Sequence, residues 1–295
     1  IKVQRYEKAR VKDLKSWVLG IAALFFIIDI LVSMWIRGLF GVFSRKYGKT
    51  ILILTVFGMP AYASDDFAIK NSLVTRIAFL ITGDSQVDLT SKAGLSGLTL
   101  ILRRRTAVEL GAPQGINPAV DELSLFPLVY WPVVPGYSLP ANAAARVMNY
   151  LRNGGTILFD TRDEVVRTSD GTLTQLSQDL KIPLLVPVPG DHVLTKSYYL
   201  LKNFPGRWSG GLLWIEKAGE RTNDGVSPVI AGSHDWAAAW AVDDHHRPLF
   251  AVVPGGERQR EMAYRFGVNL VMYTLTGNYK ADQVHIPAII ERLGE

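Results

Sequence analysis

The chain has 295 residues, a net charge of +5 from 32 Lys/Arg against 27 Asp/Glu, and no cysteine. The missing thiols exclude disulfides, thiolate zinc sites and a cysteine nucleophile. Ten of the basic and three of the acidic residues fall in 1–64, leaving 22 against 24 in 65–295, so the basic excess belongs to the flanks of apolar segments and no nucleic-acid partner is expected.

Residues 17–36 (WVLGIAALFFIIDILVSMWI) are an apolar run broken only by Asp29. That length carries an α-helix across a hydrocarbon core of about 30 Å. A second run, 51–63 (ILILTVFGMPAYA), is short, contains Pro60 and ends in small residues, as a signal-peptide cleavage site does. Its position behind a full span favours a second, short span. The expected organisation is therefore a membrane anchor over 1–64, with spans at about 17–36 and 50–64, and a soluble domain over 65–295. Both flanks of the first span are basic, so the positive-inside rule cannot satisfy both. The loop 37–50, with four Lys/Arg and no acid, is the cleaner signal and is placed in the cytoplasm, with the soluble domain outside the cytosol. An intramembrane carboxylate such as Asp29 is costly and is expected to face a neighbouring helix. The first residue is Ile1 rather than Met, which points to a piece of a longer protein.

In the soluble part, 75–82 (TRIAFLIT) reads as a strand closed by the turn Gly83-Asp84. A helix is predicted over 91–110, carrying Arg103, Arg104 and Arg105, and the next buried strand over 123–131. A helix over 140–153 begins with Pro140 and stops at Gly154-Gly155. Strand 156–160 (TILFD) follows, then a helix near 173–180. Strands are predicted at 212–216, 226–231, 236–242 and 249–253, an amphipathic helix over 257–276 and a short one over 286–293. Strands with near-continuous apolar runs, alternating with helices, imply a doubly wound, mostly parallel α/β sheet covered on both faces.

In such sheets, ligands sit beyond the carboxyl ends of the strands. Three predicted strand ends carry polar groups: Thr82-Gly83-Asp84, Trp131, and Asp160-Thr161-Arg162-Asp163. The last is the densest, and two carboxylates flanking an arginine can bind a polar ligand or do acid/base work. Equally, Asp160 can cap a following helix while Arg162 pairs with Asp163. His192, His234 and His245-His246 lie in loops and turns, without a metal-ligand spacing. The segment 254–261 (PGGERQRE) places a Gly-Gly turn before a helix, where free N–H groups with Arg258 and Arg260 could meet an anion. It lacks the P-loop and dinucleotide patterns, no cofactor is implied, and no GxSxG elbow occurs.

Four stretches together resemble a bacterial family known as domain of unknown function 4159: RTAVE at 105–109, YLRNGGTILFDTRD at 150–163, NDGVSPV at 223–229 and EMAYRFGVN at 261–269. The resemblance spans roughly 75–295. It implies a C-terminal position behind a membrane region similar to the BatA-type aerotolerance regulators. It also implies a flavodoxin-like sheet related to class I glutamine amidotransferases. In those enzymes a cysteine nucleophile sits on the turn that would match Asp160-Thr161-Arg162, so their activity does not carry over. MoxR-type ATPases and von Willebrand A-type proteins are the partners that the resemblance implies. The leading expectation is a membrane-tethered, non-catalytic binding domain of a bacterial inner membrane, with Asp84, Asp160, Arg162, Asp163 and Arg258 at its ligand sites. Two alternatives stand beside it: a hydrolase or carbohydrate-active enzyme using Asp160 or Asp163 with His192, and an interaction module docking through Arg103–Arg105.

Overall fold

The computed structural model describes residues 24–29, 32, 65–162, 172–217 and 227–276. The chain divides into two units, Ile1–Tyr62 and Ala63–Glu295. In the first, residues 24–29 and 32 are helical and exposed; the rest of the expected spans 17–36 and 50–64 lies outside the described residues. Among the described residues, no helix is long and apolar enough to cross a membrane.

The second unit opens with α1 (Asp65–Ser72) and is organised by a seven-stranded sheet. Its strands are β1 (Ala78–Leu80), β2 (Gln114–Ile116), β3 (Leu128–Pro132), β4 (Thr156–Asp160), β5 (Leu185–Pro187), β6 (Trp214–Glu216) and β7 (Val229–Gly232). They lie in the order β2-β1-β3-β4-β7-β6-β5, parallel from β2 through β7 and antiparallel at β6 and β5. Because β2 is added on one side of β1 and β3 on the other, the winding reverses at β1, where such sheets open a crevice at their carboxyl ends.

Side chains alternate between the two faces of the sheet, as a strand period of two requires. Ile77, Phe79, Leu128, Tyr130, Leu158 and Ile230 enter one core. Ala78, Leu80, Val129, Trp131, Ile157, Phe159, Val229 and Ala231 enter the other. The second core is covered by α3 (Ala141–Arg152) and α4 (Thr172–Asp179), through Val147, Tyr150 and Leu176. The first is covered by α2 (Ser85–Arg105), α5 (Trp236–Trp240) and α6 (Gly256–Thr276). The arrangement is a three-layer α/β unit with a mostly parallel sheet.

Helix α2 starts six residues earlier than the periodicity predicts, because Asp84 caps it. The Asp84 carboxylate accepts from the N–H groups of Gln86 (2.9 Å) and Val87 (3.2 Å). Asp88 in the first turn accepts from Thr82 N and Oγ1 and from Gly83 N, closing the β1–α2 turn. Both acids also suit the positive end of the helix dipole. The predicted strand 123–131 divides into a 3₁₀ turn, Leu123–Leu125, and β3. The short strand β2 arises where no apolar run announces it, and β5 lies within the proline-broken apolar stretch 182–189 (IPLLVPVP), where no strand is predicted.

Two predicted strands are corrected. Residues 236–242 contain α5, a five-residue helix (WAAAW) buried on every side. Gly94 and Gly97 of α2 let it approach: a Cβ would lie 2.3 Å from the carbonyl oxygen of Ala237 at position 94, and 2.0 Å from that of Trp240 at position 97. Burial from all sides removes the amphipathic pattern that marks a helix in sequence, and apolar runs of either kind then look alike. Residues 249–253 form no strand; Val253 makes only an isolated bridge to Trp208. The predicted helix 286–293 lies outside the described residues.

Candidate functional site

The polar groups of the central strand ends meet where β4 and β7 stop. Asp160, the last residue of β4, has no exposed surface. Its Oδ1 accepts from the backbone N–H groups of Arg162 (3.0 Å), His234 (3.2 Å) and Asp235 (3.1 Å). Its Oδ2 accepts from Trp236 N (2.8 Å) and from the Tyr130 hydroxyl (3.0 Å). One carboxylate thus ties the turn after β4, the turn after β7 and the start of α5 to strand β3. Burial raises the Asp160 pKa above the ordinary carboxylate range, and these donors partly offset it. The Tyr130 hydroxyl is pushed well above its usual value, by burial first and then by the charge of Asp160.

Above this knot lie groups of a different kind. Arg162 and Asp235 both adopt left-handed backbone conformations (φ 62° and 50°), which cost about 1–3 kcal/mol each for such residues and concentrate at functional sites. Arg207, on the loop before β6, reaches Asp235 Oδ2 at 3.3 Å. Its guanidinium lies over the rings of Trp208 (4.7 Å) and Phe250 (5.2 Å). Trp208 Nε1 donates to the carbonyl of Arg162 (3.1 Å), which joins this loop to the β4 turn. Gln259 of α6 holds the loop from below, donating to the carbonyls of Gly206, Arg207 and Val253. The Nε atoms of Arg162 and Arg207 are buried without a hydrogen-bond partner among the described residues. Arg207 keeps 32% of its side chain exposed and Asp235 keeps 10%, so solvent reaches the group.

Burial and the nearby charge of Asp160 push Asp235 up to about 6, against the opposing pull of Arg207. Next to it, His234 is brought down to about 4 by burial. The His234 ring stacks on Trp236 (4.5 Å between centroids), and its Nδ1 has no partner among the described residues. The histidine therefore meets Asp160 through its backbone and Trp236 through its ring.

The other residues singled out by sequence lie elsewhere. Asp84 is an exposed helix cap, as above. Asp163 lies outside the described residues. Arg258 is exposed on the first turn of α6, while Arg260 beside it is buried and donates to the carbonyls of Ala239 (2.8 Å) and Phe250 (2.6 Å). His192 caps a 3₁₀ turn, accepting from Leu194 N, and its ring packs on Tyr273 at 5.6 Å. The Tyr273 hydroxyl accepts from Ser227 N, before the amino end of β7, whereas Asp160 is paired with Gly232 at the carboxyl end. At about 3.3 Å per strand residue, the two groups do not form a dyad. Of the arginine run, Arg105 forms a two-pronged pair with Glu261 (3.1 and 2.7 Å) and Arg103 donates to the Leu110 carbonyl. Two of these three arginines thus serve the fold.

A cavity of about 220 Å³, lined in part by Arg152, Lys181, Glu216 and Pro228, opens at the amino end of β7, away from these strand ends. Among the described residues, no cluster of three or more His, Asp or Glu side chains could hold a metal ion. The periodicity missed Arg207, Trp208 and Gln259, which come from irregular loops and a helix start. Asp235 carried a weaker signal than Asp160, since Gly232, Ser233 and His234 separate it from the apolar run 229–231.

A family model matches residues 76–275, from just before β1 to the last turn of α6. The chain belongs to the DUF4159 family, a domain of unknown function. The DUF4159 domain is therefore the seven-stranded sheet with its covering helices, and the strand-end group lies within it. No curated protein matches the chain at a significant level.

Proposed function

We propose that this DUF4159 domain is a non-catalytic binding module, tethered to a bacterial inner membrane by segments in 1–64 and facing the periplasm. The apolar run 17–36 and the basic loop 37–50 support the tether and its orientation. The parallel strand order β2-β1-β3-β4-β7 supports a flavodoxin-like sheet of the glutamine amidotransferase type. One observation carries the non-catalytic reading: the densest strand-end carboxylate, Asp160, is wholly buried and accepts five hydrogen bonds from its own chain. A general acid or base must come within hydrogen-bond reach of its substrate, and Asp160 offers no such surface.

By family resemblance, the partners are MoxR-type ATPases and von Willebrand A-type proteins. The test is copurification of the intact membrane protein with those two named classes, with protease accessibility in spheroplasts to fix the side of the membrane. Cleavage of the domain in intact spheroplasts and capture abolished by Arg162→Ala are expected. Turnover of glycoside or ester substrates by the parent, lost in a folded Asp160→Asn variant, would overturn the reading in favour of an enzyme.

A further inference from the structure

The cavity of about 220 Å³ at the amino end of β7 sits where α3 and α4 end, between residues 151–152 and 180–183. Its wall is apolar through Met148, Leu151, Leu180 and Val229. Glu216 breaks that pattern. Ile215 enters the first core, so the strand period of two turns Glu216 to the opposite face, level with Leu185 across the β5–β6 pair. That face is the second core, covered by α3 and α4, and Glu216 is only 5% exposed there. A carboxylate is seldom held this deep without a charge or donors to meet it. Two exposed cations complete the lining, Arg152 from the last turn of α3 and Lys181 from the turn after α4. Lys181 is left-handed (φ 48°), with its N–H donating to the Gln178 carbonyl and that of Ile182 to the Ser177 carbonyl. Glycine is the usual occupant of that position, so a long cationic side chain stands where the backbone favours none. The carboxyl ends of the two helices add partial negative charge to that of Glu216, and the two basic side chains balance it.

From this arrangement we infer that the cavity is a binding site for a small zwitterion with an aliphatic side chain, an amino acid of the size of leucine. Glu216 receives the ammonium group, Arg152 and Lys181 the carboxylate, and the apolar wall the side chain. Arg152 and Glu216 also have partners within the chain. A guanidinium has about five donors and a carboxylate about four acceptor sites, so each can serve a ligand as well. An amine without a carboxylate would leave two cations facing it, and a carboxylate without an amine would face Glu216, so both halves are disfavoured. Size sets the rest. An apolar cavity of about 150 Å³ takes up benzene, so one of about 220 Å³ takes about nine non-hydrogen atoms, as in leucine or isoleucine. The site lies at the opposite end of β7 from the Asp160 group and goes beyond the partner-binding reading.

The test is a calorimetric titration of the intact chain in detergent micelles at neutral pH with three probes: L-leucine, isocaproate, which lacks the ammonium group, and isoamylamine, which lacks the carboxylate. Leucine is expected to bind at least about tenfold more tightly than either, since each half-ligand leaves a charge of the site unmet. Glu216→Gln should weaken leucine by about tenfold and bind isocaproate more tightly than the parent does. That gain cannot come from misfolding. Arg152→Met, at an exposed side chain, should weaken leucine by about tenfold and bind isoamylamine at least as tightly as the parent. Failure of leucine to bind, equal affinity for the three probes, or a Glu216→Gln chain no better for isocaproate would overturn the inference. Capture of the partner proteins, which the binding-module reading requires, is measured separately and stands or falls by itself.

Discussion

Replacing His234 and Asp235 one at a time separates two opposite pH effects within a single turn. His234 is 2% exposed and is held neutral, at about 4 against an ordinary value of 6.5. The folded protein therefore binds fewer protons at this site than the unfolded chain. Its contribution is complete above pH 6.5 and is lost as pH falls towards 4, at about 1.4 kcal/mol per pH unit, or about 3 kcal/mol in all. Asp235 is 7% exposed and is raised to about 6 from 3.8. Here the folded protein holds the proton more tightly, so stability is gained as pH falls from 6 to 3.8, again by about 3 kcal/mol. Between about pH 6 and pH 4 the two slopes cancel. Urea unfolding of the intact chain, stepped from about pH 7 to pH 4, measures this. Relative to the parent, His234→Gln should gain about 3 kcal/mol over that range, and Asp235→Asn should lose about 3 kcal/mol. Asparagine tolerates the left-handed backbone at 235, so the second variant adds no strain of its own. If both variants run parallel to the parent at every pH, His234 is not buried neutral, Asp235 is not desolvated, and the strand ends are not packed as described.

Three further outcomes follow from the packing. Asp160→Asn places an amide where two sets of donors converge, so at least one backbone N–H loses its acceptor, at about 1–3 kcal/mol; the melting temperature should fall by about 2–4 °C per kcal/mol, and an unchanged melt would show that the five contacts are not made. Gly94→Ala and Gly97→Ala drive a Cβ into the backbone carbonyls of α5, so each should cost about 1–3 kcal/mol by the same measurement, and neutrality would mean that α2 and α5 are further apart. A double-mutant cycle on Arg105 and Glu261, whose side chains are 26% and 37% exposed, should return a coupling of about 0.2–1 kcal/mol that shrinks with added salt; a salt-independent coupling would contradict the exposure.

The family stretches gain a physical meaning from these contacts. In 150–163, Tyr150 donates from its hydroxyl to the carbonyls of Phe126 and Thr156, and Asp160 builds the knot. In 261–269, Glu261 pairs with Arg105 and Arg265, and Asn269 donates to the carbonyls of Leu194 and Tyr199. These contacts join elements that are distant in sequence.

The sequence alone determined what depends on neighbouring residues. The runs LVYWP and TILFD are apolar on both faces and became central strands, and the Pro140 and Gly154 boundaries of α3 follow from backbone chemistry local to each. The layered α/β class follows from alternating such elements. Asp160 was legible as a strand-end acid, but not as one saturated by its own chain, because four of its five donors are at least 30 residues away, three of them more than 70. Separation in sequence also hid Arg207 and Trp208, which meet Asp235 and the Arg162 carbonyl only when their loop crosses two strand ends. It also hid the helical state of α5, whose uniform burial erases periodicity. Tertiary structure decided these points, since burial and hydrogen-bond partners at long separation are properties of the folded chain and leave no periodic trace in it.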